Sequence, residues 1–275
     1  MPELQTTVPD FALDVERFRP AILERLSTAR FSEAPFPHVI VDDLWPDELR
    51  QAAVDMWPPA EAFFTNKSAK KVNLELAESP NKDAGHFELV PRDIQRFWQF
   101  ISQQINGAII GPWLAERFAA DITERFELLS AWQAEGHVLP FDATGIPSRR
   151  WWATPGRLML RGGGMHLAPH CDSAYFLVTA LYYMGGGDES HGTVLCQAER
   201  PMPIGTFVGD GKTTYFHEHD IPVHEVVAVP FLPNRFVAFP NRPDAAHCVT
   251  APKDMYRKVL QFHLSLSEPR ATDSY

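Results

Sequence analysis

Residues Arg161 to Gly186 read RGGGMHLAPHCDSAYFLVTALYYMGG. A triple glycine opens the stretch, His166-Leu-Ala-Pro-His170-Cys-Asp172 follows, and an apolar run from Tyr175 to Met184 completes it. Glycine and proline are both poor helix residues. His166 and His170 are therefore not read as neighbours on one helical face; the segment reads as a turn feeding a strand. In a strand, His170 and Asp172 project to one side and Cys171 to the other. Two readings of the tripeptide stand open: half of a metal site, or a polar kink ahead of a buried strand. His-x-Asp recurs by chance, so the tripeptide alone favours the kink.

Working outward, the same texture continues to the C-terminal end. From about residue 150, short β-type segments (RLML, YFLVTALYYM, GTVLC, VVAV, RFVAF, RKVLQFHLSL) alternate with Gly, Pro and Asn turns. Such spacing predicts a sandwich or barrel. The first 135 residues differ. WPDELRQAAVDMW, RDIQRFWQFISQQI and LAERFAADITERFELLSAW repeat apolar residues at helical spacing. FPHVIVDDL reads as one short strand among them, and TNKSAKKVNLELAESPNKDAGH as a polar loop. With no clean linker, one domain is expected over 1–275. A helix-rich part, 1–150, would pack on a β core, 151–268.

Bulk properties narrow the function. The chain has 275 residues, 45% hydrophobic and 22% charged, with a formal net charge of -10. That charge repels phosphate backbones, so nucleic acid is not an expected partner. Three cysteines, Cys171, Cys196 and Cys248, do not form a disulfide framework. The first residues carry acids and no apolar signal core. The longest apolar run is about half of the ~20 residues a membrane helix needs. A soluble, cytoplasmic protein with no membrane partner is expected. No phosphate-binding Gly-rich loop, Gly-x-Ser-x-Gly or Cys-x-x-Cys motif occurs.

A third ligand tips the balance at His170 and Asp172. His247 follows the strand-like RFVAFP, and Arg257 stands ten residues beyond it. Two histidines and one carboxylate on one side of an ion leave three positions open, as in non-haem Fe(II) oxygenases. A neighbouring arginine can grip a carboxylate bidentately.

These residues, in this order, resemble the 2-oxoglutarate- and Fe(II)-dependent dioxygenases, in their prolyl 4-hydroxylase-like branch. The family pattern runs Tyr-x-x-Gly-x-x-(apolar)-x-Pro-His-x-Asp, then a Thr-x-x-Tyr-Tyr-type strand, a Gly-Thr-Val strand, His, and a basic residue about ten positions on. The chain matches it with Gly164, Leu167, Pro169, His170 and Asp172, then Thr179, Tyr182-Tyr183, Gly192-Thr193-Val194, His247 and Arg257. The match spans roughly residues 157 to 266. The resemblance implies a double-stranded β-helix, a jelly-roll variant, flanked by N-terminal helices in an α+β, β-rich chain. It implies Fe(II) on His170, Asp172 and His247, with 2-oxoglutarate and O2 as co-substrates and ascorbate as a reductant. It implies that Arg257 and Tyr183 hold the distal carboxylate of 2-oxoglutarate, with Thr179 lining the same pocket. Arg161 occupies the family's Tyr position, near the inner carboxylate or the substrate. Val259 replaces a serine that helps many relatives. The implied reaction is hydroxylation, or a desaturation, of an unactivated C–H with release of succinate and CO2. Because Asp172 is a carboxylate, no coordination position is vacated for halide. A small-molecule substrate (amino acid, sugar or secondary metabolite) is expected. The alternatives are a protein side-chain, prolyl-type hydroxylase and a non-catalytic cupin-like binder of metal or sugar.

Other polar residues have plainer readings. His217, Glu218, His219, Asp220, His224 and Glu225 fall in a stretch, 198 to 225, read as an inserted solvated loop; a substrate lid and a second metal site are the alternatives. His263 shares the register of Arg257 and Gln261 and reads as a buried core histidine. Cys171 and Cys248 flank ligands but belong to packing, as do Trp151 and Trp152.

Overall fold

The computed structural model describes residues 13–63, 71–76, 86–186, 188–251, 253–254 and 256–267. Helix α1 (Val15–Ser27) starts where the Asp14 carboxylate accepts from the Glu16 amide. Strands β1 (Arg30–Ser32) and β2 (His38–Val41), helix α2 (Asp47–Asp55) and strand β3 (Lys71–Glu75) follow. Helix α3 (Arg92–Phe100) runs into a π-helical stretch, Ile101–Ile110, and then α4 (Gly111–Arg117) and α5 (Ala119–Ala134). After the short α6 (Gly145–Ser148) come β4 (Trp152–Ala153), β5 (Arg157–Arg161), β6 (His166–Cys171), β7 (Phe176–Gly185) and β8 (Thr193–Ala198). The chain continues through α7 (Ile204–Val208), β9 (Thr214–Tyr215), β10 (Val223–Ala228), β11 (Arg235–Pro240), β12 (Ala245–Thr250) and β13 (Arg257–Ser265).

The strands form two separate antiparallel sheets. The larger has eight strands in the order β1-β2-β11-β7-β13-β5-β3, with β4 also on β13. The smaller has five, β10-β8-β12-β6-β9. Among the described residues neither closes into a barrel, and this corrects the expected double-stranded β-helix. The reason lies in the N-terminal part: β1, β2 and β3 join the larger sheet and extend it beyond the strands read after residue 150. The polar segment expected to be a loop supplies β3 over its described residues. No helix among the described residues is long and apolar enough to cross a membrane.

Strand alternation sorts the side chains into two cores. Even-numbered residues of β7 and β13 (Val178, Ala180, Tyr182; Leu260, Phe262, Leu264) pack in the large core that also takes in Phe18, Trp45, Trp98 and Ile105 from the helical part. Trp45 lies over Tyr182 at 4.7 Å between ring centroids, and the Tyr182 hydroxyl donates to Asn106 Oδ1 at 3.1 Å. Odd-numbered residues of the same strands turn toward the smaller sheet. Met159, Leu181, Tyr183 and Val259 pack there with Leu195 and Ala245 of that sheet. The strip between the sheets is where His170, Asp172 and His247 meet.

The 198–225 stretch is not a solvated loop. Met202, Phe207, Val208, Phe216 and Ile221 are buried in the large core, and its strand β9 pairs with β6. His217 and His219 fall on a 3-10 turn, Phe216–His219, and are exposed.

Candidate active site

The smaller sheet builds the centre. In the β6–β12 pairing, His170 lies directly opposite His247, with ring centroids 4.1 Å apart. Asp172 follows the end of β6, two residues from His170, and so returns to its side. Ligand atoms of His170, Asp172 and His247 all lie within 4.8 Å of one another, and all three residues are buried. The His170 Nε2 to Asp172 Oδ1 distance is 3.9 Å, and His247 Nε2 to Asp172 Oδ2 is 3.8 Å. These are too long for hydrogen bonds. Two metal–ligand bonds of about 2.1 Å can bridge up to about 4.2 Å, so a shared cation fits both gaps. His170 Nδ1 donates to the Ala168 carbonyl at 2.8 Å. This fixes the tautomer and leaves the Nε2 lone pair facing Asp172.

Electrostatics favour the ligand state. Burial alone would raise the Asp172 carboxyl. The imidazoles of His247, His263 and His170 and the Thr179 hydroxyl outweigh it and hold the carboxyl well below its ordinary range. Burial lowers His247, against the opposing pull of Asp172. Burial likewise lowers His263, to about 3. At neutral pH the site therefore presents an ionised carboxylate and neutral His247 and His263 rings.

The other sequence candidates are placed as follows. Thr179, on the larger sheet, donates to Asp172 Oδ2 at 2.5 Å; it serves the carboxylate rather than an open pocket wall. The Tyr183 hydroxyl is engaged with Thr193, donating to Oγ1 at 2.8 Å and accepting from the Thr193 amide at 2.9 Å. Arg257 is buried, lies over the Tyr183 and Phe231 rings and donates from Nη1 to the His191 carbonyl. Its Nε has no hydrogen-bond partner among the described residues. Arg161 is also buried; Nη1 donates to Asn73 Oδ1 at 2.8 Å and to the Val72 carbonyl at 3.2 Å. His263 stacks on Phe176 at 3.7 Å between centroids, with Nε2 4.0 Å from Asp172 Oδ2. His166 is exposed and pairs with Thr250 Oγ1.

One cavity of about 100 Å³ joins His170, Asp172 and His247 to Arg161 and Arg257. Its walls also include Arg157, Gln261 and Tyr215, which the sequence reading did not assign to the site. Arg157, Met159 and Arg161 alternate along β5, and that spacing was the available signal.

No family model matches the chain, and no curated protein matches it. Solved structures do. A prolyl hydroxylase from Trichoplax adhaerens, in complex with a hypoxia inducible factor oxygen degradation domain peptide fragment, is similar at 11% identity and TM-score 0.41, over 91% of this chain and 90% of that one. Prolyl 4-hydroxylase from Phytophthora capsici is similar at 17% identity and TM-score 0.42, over 93% and 66%. HygX from Streptomyces hygroscopicus, solved with nickel and 2-oxoglutarate, is similar at 9% identity and TM-score 0.40, over 83% and 82%.

Proposed function

We propose that this protein is an Fe(II)- and 2-oxoglutarate-dependent oxygenase. The observation that carries the reading is the buried two-histidine, one-carboxylate set sharing a cavity with Arg257. His170, Asp172 and His247 would hold the iron, leaving three positions for co-substrates. The bound iron and 2-oxoglutarate supply the oxidising chemistry, with succinate and CO2 released. The chain's part is positioning. Thr179 fixes the Asp172 carboxylate, and the Ala168 carbonyl fixes His170. Arg257 grips the far carboxylate of the co-substrate. Met159 and Leu181 on the cavity wall exclude water. With Asp172 present, hydroxylation or desaturation is favoured over halogenation.

The reading covers the reaction and leaves the substrate wider than the small molecule expected from the sequence. A peptide side chain lies within it, as for the Trichoplax adhaerens enzyme solved with a peptide. The test is succinate release from 2-oxoglutarate with Fe(II) and ascorbate, compared with Asp172→Ala. Slow, iron-dependent release by the wild type and none by the variant is the expected result. Absence of both release and iron-dependent 2-oxoglutarate binding would overturn the reading in favour of a non-catalytic metal binder.

A further inference from the structure

The cavity carries more positive charge than one co-substrate uses. Arg157, Arg161 and Arg257 line it, against the Asp172 carboxylate on its wall and that of Glu75 beside Arg157. In the β5–β13 register, Arg161 lies directly opposite Arg257, and Arg157 opposite Gln261. Like charges directly opposite destabilise a strand pair, and a buried guanidinium without a counter-ion is costly. Among the described residues, Arg161 and Arg257 have no carboxylate within 4.0 Å.

The three arginines are not equivalent. Arg257 belongs to the co-substrate in the reading above. Arg161 spends Nη1 on Val72 and Asn73 of β3, and Nη2 faces the Met159 sulfur at 2.7 Å. Arg157 is held differently. Its Nε donates to Gln261 Oε1 at 2.8 Å. Its Nη1 stands 3.9 Å from Glu75 Oε1, beyond hydrogen-bonding range. Its side chain is 21% exposed, so a ligand entering the cavity can reach it. Position matters too. Gln261 precedes by two residues His263, the ring 4.0 Å from Asp172. Arg157 thus belongs to the metal end, about 14 Å along the strand from the Arg161–Arg257 row at ~3.4 Å per residue. Two rows of donors so spaced suit two anions.

Resting on the oxygenase reading, we propose that Arg157, oriented by Gln261, is a second anion site and that the molecule oxidised carries a carboxylate or phosphate group. Arg157 would anchor that group beside the metal while Arg257 holds the co-substrate from the other end. The acidic surface makes the preference local: the cationic cavity draws the anionic group out of an otherwise repelling field.

The test uses full-length protein saturated with Mn(II) and 2-oxoglutarate, with inorganic phosphate and acetate as probes. Paramagnetic broadening of the phosphate 31P or acetate 13C signal reads proximity to the metal, and calorimetry reads affinity. Wild type is expected to bind at least one probe, more weakly as salt rises. Arg157→Gln should weaken that binding at least about tenfold with 2-oxoglutarate affinity unchanged. Arg157→Lys should retain part of it, and melting curves show that both variants fold. Arg257→Gln should do the reverse, weakening 2-oxoglutarate. Preference for phosphate or for acetate names the group; either supports the site. Failure of both probes, indifference to Arg157→Gln, or displacement of 2-oxoglutarate by the probe would overturn it. If 2-oxoglutarate itself fails to bind, the oxygenase reading falls. The Arg157→Gln comparison on metal-free protein, read by calorimetry, then decides the anion site alone.

Discussion

Thr179 shows how a single hydroxyl tunes the centre. It donates to Asp172 Oδ2 from the opposite sheet, so the carboxylate is aimed by a residue that need not touch the metal. Thr179→Val is expected to weaken metal binding about 10- to 100-fold, read by competition with a chelating dye. Tyr183 behaves otherwise. Its hydroxyl is spent on Thr193, so Tyr183→Phe should cost about 1 kcal/mol of stability in a denaturant melt. Its 2-oxoglutarate affinity should stay close to wild type. Glu75 gives a pH signature. Burial raises its carboxyl above the ordinary 4.5, against the pull of Arg157 and Arg161. The folded state therefore holds a proton that the unfolded chain has released, and stability falls as pH rises above 4.5. Glu75→Gln should flatten that fall, seen in melting temperature against pH. His170 and Asp172 were legible as a pair because alternation places them on one side, and the structure brings His247 beside them. The hydrogen-bond partners of Thr179 and Tyr183 were not, since distances between sheets decide them.

Among the elements, β5, β7 and β13 carry the clearest logic. Their two registers face different cores, which is why β7 is apolar on both sides and yet includes Thr179. This much was readable: a long apolar run with one polar residue in phase with Tyr183. The segment around β3 was not, because Lys71, Asn73 and Glu75 look like loop residues; they are tolerated at a sheet edge. The 198–225 stretch misled for the opposite reason. Its histidines drew the eye, while Phe207 and Phe216 do the packing. A close backbone contact fixes the start of β8. A Cβ on Gly192 would lie 1.5 Å from the Val229 carbonyl oxygen. Gly192→Ala should therefore destabilise the protein by about 1–3 kcal/mol, measured by thermal melt. It should also disturb Thr193 on the cavity wall.

For the whole molecule, the centre lies where two open sheets face each other, with the candidate ligands at the smaller sheet and Thr179 reaching Asp172 from the larger. Sheet separation and metal binding are thus linked. Mn(II) should raise the melting temperature of the wild type, by about 2.7 kcal/mol of stability at a hundredfold excess over Kd, and leave Asp172→Ala unmoved. That the second half folds into sheets of short strands followed from its turn spacing. That they stay open did not, because closure depends on which distant strands pair. The N-terminal strands complete a sheet encoded mostly in the second half of the chain: β2 joins β11, with Val41 paired to Phe236.

Among the described residues strand β3 sits at the end of the larger sheet, paired with β5, and Arg161 binds it from the cavity side. An event inside the cavity can therefore be heard outside. Among the described residues β5 is the one strand beside β3, so alternate amides of β3 face away from it. The rest are guarded by β5, and so by whatever steadies its arginines. Filling the cavity with an anion should slow deuterium uptake in peptides spanning Lys71 to Glu75 while leaving the interior strand β7 unchanged. The rim would then serve as a gauge of occupancy that needs neither a chromophore nor turnover.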